Sequence, residues 1–224
     1  MSLIVTSEYE LNRVVAPRLP IATNQYDPNY LNELNNILRL YFNQLDNILG
    51  QLRTGSGAID GAGVRFPYGA FSSDQDQTTT ANTETLMTLN TTDFSNDVGL
   101  DTGSKIKVTV PGIYNLQFST QFQNTDNQIQ DMSIWLKQNG VNIPGSTGFI
   151  SIPAHKSASA GEEAHEIIGW NYYLSMAADD YVQIYWSTTN ASVTIQHYPT
   201  STGPVRPSTQ SVVATLSFVS ALPP

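Results

Sequence analysis

A chain of 224 residues is long enough to bury the core of one β-rich domain and to carry an extension. Ten basic and nineteen acidic residues give a net charge of −9, and a surface of this sign repels phosphate, which disfavours nucleic acid and anionic membranes as partners. No cysteine is present, so disulfides, thiolate metal sites and a cysteine nucleophile are excluded.

The first segment, residues 1–26, carries apolar residues without a sustained period, and Pro17 and Pro20 favour an extended path. Because such an arm cannot form its own core, we expect it to lie against a partner; the alternative is a frayed terminus. Its start lacks the basic beginning and apolar centre of a secretory signal, and no stretch of the chain is long and apolar enough to span a membrane. We therefore expect a soluble protein made in a cytoplasm, without membrane insertion.

Residues 27–53, "DPNYLNELNNILRLYFNQLDNILGQLR", show the clearest helical pattern. Asp27 is a suitable N-cap, and Pro28 fits the first helical position. Apolar side chains then alternate steps of three and four, which is the spacing of a heptad seam: Leu31, Leu34, Leu38, Tyr41, Leu45, Ile48 and Leu52. A flanking set widens the stripe beyond the needs of a two-stranded coil: Ile37, Phe42 and Leu49. The pattern favours a short three-stranded stalk or docking on another protein; the alternative is a helix packed on its own domain.

Residues 54–64 form a glycine-rich linker, after which the hydrophobic pattern changes to period two over residues 65–224. The linker glycines precede no helical pattern, so they do not predict a nucleotide site, and we expect no cofactor. In "IYNLQFSTQF" the apolar residues from Tyr114 to Phe122 share one face and the polar residues share the other. Similar alternation recurs in six further segments, which begin at Ile106, Met132, Ile168, Val182, Val193 and Val212. Several such strands predict an antiparallel sandwich, with a tight hairpin turn at Asn139 and Gly140.

Four aromatic residues fall on the faces that this alternation assigns to polar side chains: Trp135, Tyr173, Tyr181 and Tyr185. Exposed aromatic side chains are enriched where a surface is covered by something else. A subunit contact in a trimer is the first explanation, and a sugar-binding surface is the second.

The residue types that commonly catalyse reactions or bind metals do not occur here in the spacing that such sites require. The three histidines, His155, His165 and His197, include no pair separated by one residue, as two metal ligands on one strand would be, and no nucleophile elbow of the Gly-x-Ser-x-Gly type occurs. The segment "GEEAHE" has two interpretations, a cation-binding or pH-sensitive loop and a solvated acidic loop. Asp179 and Asp180 also have two, a calcium site and an ordinary turn. We expect no metal, no catalytic residue and no enzyme activity.

The strand segments resemble the jelly-roll superfamily of the complement globular head and the tumour necrosis factor ligands. The resemblance rests on "LDTGSKIKVTVPGIYNLQFS", "MSIWLKQNGVNI", "YYLSMAADDYVQIYW" and "VVATLSFV", which follow in the expected order over roughly residues 65–220. One departure is visible, because Ala178-Asp179-Asp180 stands where the family often has Gly-Asp. The resemblance implies a ten-strand jelly roll that assembles as a homotrimer, often with a trimeric stalk.

The segment "RLPIATNQYDPNYLNELNNILRLYFNQLDNI" is similar to N-terminal segments of virion proteins of tailed phages. This second resemblance implies a homotrimeric surface knob of a virion, assembled in the host cytoplasm. It would be a capsid decoration or cement protein, or a short head or tail appendage, held to other virion proteins of the capsid or tail through residues 1–53. The alternative is a tail-fibre head that binds or degrades a host-surface glycan. A secreted cellular ligand is a third and less favoured class.

Overall fold

The structure, a computed structural model, describes residues 15–21, 24–53, 66–155 and 163–222, and within the helix it describes no side chain after residue 47. The chain divides into two compact units, Met1–Arg65 and Phe66–Pro224. The predicted linker 54–64 lies outside the described residues, as do most of the predicted arm and the side chains of Ile48 and Leu52.

In the first unit, α1 spans Pro28–Arg53, which confirms the predicted helix. Its start is capped as expected, because the backbone N–H of Asn29 donates to Asp27 Oδ1 at 2.9 Å. Residues 15–21, with their two prolines, adopt no regular secondary structure. A helix of this length extends about 39 Å. Across the described residues, no helix is apolar over a length that would traverse a bilayer.

The second unit is an antiparallel jelly-roll sandwich of two sheets, which confirms the predicted fold class. Across the described residues, the six-stranded sheet has the order β10 (Ala164–Met176), β6 (Gly112–Asn124), β15 (Val212–Ser220), β1 (Tyr68–Ser73) and β3 (Thr91–Asn96), with β12 (Val193–Ile195) also on β6. The seven-stranded sheet has the order β4 (Val98–Asp101), β5 (Lys105–Val108), β11 (Tyr181–Thr188), β7 (Gln130–Gln138) and β8 (Val141–Asn142). In that sheet β2 (Thr85–Leu86) pairs with β11, and β9 (Gly148–Ile152) pairs with β7. A separate hairpin joins β13 (Ser201–Thr202) to β14 (Val205–Arg206).

The core lies between the sheets and contains the side chains that the period-two pattern placed inside. Tyr114, Leu116, Phe118 and Phe122 of β6 are all buried. Phe122 meets Trp186 of the opposite sheet with ring centroids 5.7 Å apart, so the two sheets are joined by aromatic packing. Without disulfides, this packing is the main source of the stability of the sandwich.

The sandwich contains more strands than the ten that the resemblance implied, because several short strands pair at the margins of the sheets. The hairpin between β7 and β8 turns where predicted: Asn139 and Gly140 have φ values of 51° and 79°. Two successive residues with positive φ give the turn type that matches the twist of an antiparallel pair.

Candidate functional site

The outer side of the six-stranded sheet presents a surface without formal charge, which we call the uncharged face. It consists of the odd-numbered residues of segments 113–121, 167–175 and 213–219, which point away from the core on β6, β10 and β15. None of these residues is Asp, Glu, Lys or Arg. Its central row pairs Asn171 with Gln117 and Gln117 with Thr215 across the three strands. A strongly acidic protein therefore has one face built from amides, hydroxyls and a few apolar groups.

The uncharged face combines exposed apolar side chains with a polar atom that lacks a partner within the described residues. Ile167 and Tyr173 are well exposed, Tyr173 to 60%, so apolar surface remains in solvent beside the polar rows. Asn115 Oδ1, also on this face, is shielded from solvent yet has no hydrogen-bond partner within the described residues. Because this oxygen is already closed to solvent within the single chain, its missing hydrogen bond costs free energy there and says nothing about a partner.

The outer side of the seven-stranded sheet carries the other three predicted aromatics. Trp135 of β7 pairs directly with Tyr185 of β11, and their rings stack with centroids 6.1 Å apart and planes 25° apart. Tyr181 lies further along β11. The four predicted aromatics therefore divide between the two sheets, because Tyr173 belongs to the uncharged face.

Lysine side chains hold these rings in place. The Nζ atom of Lys137 lies 4.3 Å from the ring centroid of Tyr185, and that of Lys105 lies 4.7 Å from the ring centroid of Tyr181. Lys137 also forms an ion pair with Glu84. These lysines are engaged within the chain, so the face is not a cluster of free cations.

A shallow hollow of about 330 Å³ opens beside Trp135 on the same side of the sheet. Its walls are uncharged: Trp135, Asn142, Ile143, Pro144, Gly145 and Thr147. Trp135 Nε1 donates to Asn142 Oδ1 at 3.1 Å, which fixes the indole at the edge of the hollow.

Phe149 adds an aromatic side chain that the sequence analysis missed. It is 83% exposed and pairs with Ser133, two residues from Trp135 on β7, so Phe149 and Trp135 share the outer face. The signal was present in the sequence, because Phe149 is out of phase with Ile150 and Ile152, the same criterion that selected Trp135.

The carboxylates of Asp179 and Asp180 are already bound by groups of the protein. Asp180 accepts hydrogen bonds from the side chains of Asn139 and Gln138 and from the backbone N–H of Ala177, at 2.7 to 2.9 Å. Burial alone would raise the pKa of Asp180, but these hydrogen bonds outweigh it and lower the pKa. Asp179 pairs with Lys107 at 2.9 Å, and the hydrogen bond between them raises the pKa of Lys107. The turn explanation accounts for both residues.

His165 lies on β10 and contacts an aromatic side chain. Its Nδ1 atom is 3.2 Å from the hydroxyl of Tyr198. Burial raises the pKa of Tyr198, and the charges of Glu163 and Asp76 add to the effect. In the part of the chain that the structure describes, no three residues of the His, Asp or Glu types come together as a metal site would require.

The predicted seam of α1 lies along one side of the helix and is incompletely buried. Leu34, Leu38, Tyr41 and Leu45 are half-buried, and Leu31 is 39% exposed. Phe42, from the flanking set, is exposed and packs its ring edge-on against Tyr41. Within the described side chains, the apolar stripe therefore retains surface for another helix.

Comparison with protein-family models and with curated proteins finds no match. Among solved structures, the chain is similar to the globular domain of zebrafish complement 1qA protein. The two are 13% identical with a TM-score of 0.41, over 70% of this chain and 100% of the other. A likeness at this level says nothing about function, and the fold assignment stands on the strand order and registers given above.

Proposed function

We propose that this protein is a non-enzymatic structural protein of a tailed-phage virion. It forms a homotrimeric surface knob, as a capsid decoration or cement protein or as a short head or tail appendage. Residues 1–53 attach it to other virion proteins, and the knob is assembled in the host cytoplasm before it joins the particle. The uncharged face is the observation that carries the self-association, and the virion role rests on the sequence resemblance of the N-terminal segment.

The uncharged face suits a second copy of the same chain better than an unrelated partner. Each copy carries a net charge of −9, so the repulsion between two copies is smallest where they meet through a surface without charge. Amide and hydroxyl side chains both donate and accept hydrogen bonds, so a row such as Asn171, Gln117 and Thr215 can pair with its own copy. Tyr173 supplies an aromatic group of the kind enriched in interface centres.

The sequence of the helix favours an assembly of three chains over one of two. Its apolar stripe is wider than the strict seam of a two-stranded coil, and the flanking residues Ile37 and Phe42 would be covered in a three-helix arrangement. The resemblance of the sandwich to the complement and tumour necrosis factor superfamily also implies a trimer. Assembly through either unit is thus compatible with the same symmetry.

The virion assignment rests on the resemblance of residues 18–48 to N-terminal segments of phage virion proteins. The composition agrees with it, since only 13% of residues are charged and polar uncharged side chains take their place, as suits a crowded, assembled surface. The non-enzymatic role rests on the sequence, in which the histidines are not paired as metal ligands and no Gly-x-Ser-x-Gly elbow occurs.

Two measurements test this proposal. Light scattering of the full chain should give about three times the chain mass of 24.5 kDa. Antibodies raised against the full chain should label the surface of purified phage particles in electron micrographs. A monomer would contradict the trimeric knob, and unlabelled particles that lack the protein by mass spectrometry would contradict the virion role.

A further inference from the structure

We propose that the hollow beside Trp135 binds a neutral pyranose sugar, with Phe149 carrying the next unit of an oligosaccharide. This site goes beyond the structural role proposed above and does not depend on it. Its components are a fixed aromatic wall, a floor without charge, and an exposed second ring.

Trp135 is held in one orientation before any ligand arrives. Tyr185 stacks along one side of the indole, and Asn142 accepts the hydrogen bond from Nε1 at 3.1 Å. Lys137 over the ring of Tyr185 secures this partner in turn. A ring that is already ordered loses little conformational entropy on binding, which favours a ligand that makes few contacts.

The chemistry of the hollow matches one face of a sugar ring. A pyranose presents C–H groups on one face and hydroxyls around its rim, and C–H groups pack well on the negative face of an aromatic ring. The side chains of Asn142 and Thr147 border the hollow and can hydrogen-bond to hydroxyls; the Nδ2 group of Asn142 can donate because Oδ1 is the atom that contacts Trp135. The volume of about 330 Å³ is at the small end of ligand sites, which suits a single ring.

The absence of charge from the walls selects a neutral sugar over an acidic one. None of the six residues that line the hollow is charged, and Lys137, the nearest lysine along β7, is paired with Glu84. The chain as a whole carries −9, so a uronate or sulfated sugar would also be repelled at long range.

Phe149 extends the site beyond a single ring. Its side chain is 83% exposed on the same outer face, diagonal to Trp135 across the β7–β9 pair. Diagonal neighbours on an antiparallel pair are about 7–8 Å apart, within reach of one flexible oligosaccharide. An apolar ring of this size left in water is stabilised when a ligand covers it.

The test is calorimetric titration of the full chain with three neutral hexasaccharides, built from glucose in β or α linkage and from mannose, and with a galacturonate hexamer. We expect at least one neutral probe to bind at or below about 10 mM and to shift the tryptophan emission, with the acidic probe weaker. Trp135→Ala should weaken binding by at least about tenfold, and Phe149→Ala by about threefold or more.

Phe94→Ala is the matched control, because Phe94 is 62% exposed on β3 of the other sheet. This variant should bind the probes as tightly as the unmodified chain does. If Trp135→Ala fails to fold, Phe149→Ala still tests the site, because so exposed a ring contributes little to the core. Three results would overturn the proposal: no binding of any neutral probe, binding by both site variants as tight as by the unmodified chain, or tighter binding of the acidic probe. A drop in solution mass of the Phe149→Ala variant without any sugar binding would also overturn it, by showing that a second copy covers this face.

Discussion

Asn139 and Asp180 join two turns that are forty-one residues apart in the chain. The Asn139 side chain donates to Asp180 Oδ1 at 2.7 Å, and its own Oδ1 accepts from the backbone N–H of Tyr181 at 3.0 Å. The Asn-Gly turn that ends β7 is thereby bound to the turn that begins β11. Asparagine thus has two roles here, since it tolerates positive φ and supplies both hydrogen bonds.

Replacing Asp180 should weaken this junction in a pH-dependent way. Asp180→Asn removes the charge from an acceptor of three hydrogen bonds, so the free energy of unfolding at pH 7 should fall by about 1–3 kcal/mol. Because the folded protein lowers the pKa of Asp180 below its ordinary value of 3.8, the ionised carboxylate contributes this stability above about pH 4. The contribution disappears as pH falls through the folded-state pKa. Urea unfolding at pH 7, 5 and 3 measures the difference between the two proteins.

Asp179→Asn is the control for this prediction. It also removes one carboxylate from the same turn, but Asp179 only pairs with Lys107 at the surface, and asparagine tolerates the φ of 69° found there. We expect little change in stability. If Asp180→Asn cost the same at pH 3 as at pH 7, the carboxylate charge would not be the source of the stabilisation.

Gly148 should be intolerant of any side chain. A Cβ atom at this position of β9 would overlap the ring of Trp170 on β10, so the glycine lets the two sheets approach. Gly148→Ala should lower the free energy of unfolding by about 1–3 kcal/mol, as overpacking does. In Gly99→Ala, on β4, the new Cβ meets no atom within 4 Å, and its effect should stay within about 0.5 kcal/mol. Thermal unfolding of both variants distinguishes them, and equal melting temperatures would contradict the packing argument.

Period-two alternation was sufficient to predict the sandwich, because a strand that is buried on one face alternates apolar and polar residues along the sequence. It specified which side of a strand Trp135, Tyr173 and Tyr185 occupy. It could not specify neighbours, since the stacking of Trp135 on Tyr185 depends on the pairing of β7 with β11, fifty residues away. The division of the aromatics between two sheets is likewise a property of strand order and not of local sequence.

The hollow and the positive φ of Asp179 could not be predicted, for a different reason. The departure from Gly-Asp at Ala178-Asp179-Asp180 marked the position, but only the backbone shows that Asp179 adopts the positive φ that glycine would adopt freely. The hollow forms from the loop after β8, where Pro144 and Gly145 set a path that carries no hydrophobic period. Such sites require the fold before they can be recognised.

Charge placed on the uncharged face should separate the copies. Gln117 lies in its central row, so Gln117→Glu puts a like charge on every copy with almost no change in shape. The solution mass of the full chain should fall from trimer toward monomer, most clearly at low salt, where repulsion is least screened. Gln128→Glu makes the same change in an exposed loop and should leave the mass unaltered. Equal masses for both variants across salt concentrations would show that this face is not the contact.

The helical seam can be tested independently of the sandwich. Leu38→Asp with Leu45→Asp places two charges seven residues apart within the apolar stripe, and burying them between helices would be costly. If the seam forms the trimer axis, the full chain should become monomeric while its near-ultraviolet circular dichroism, which reports the aromatic core, is unchanged. Asn36→Asp with Asn43→Asp introduces the same charges at the same spacing on the opposite side of α1 and should remain trimeric. An unchanged mass for the leucine variant would contradict the seam as the trimer axis, and loss of virion binding by that variant would instead identify it as the docking surface.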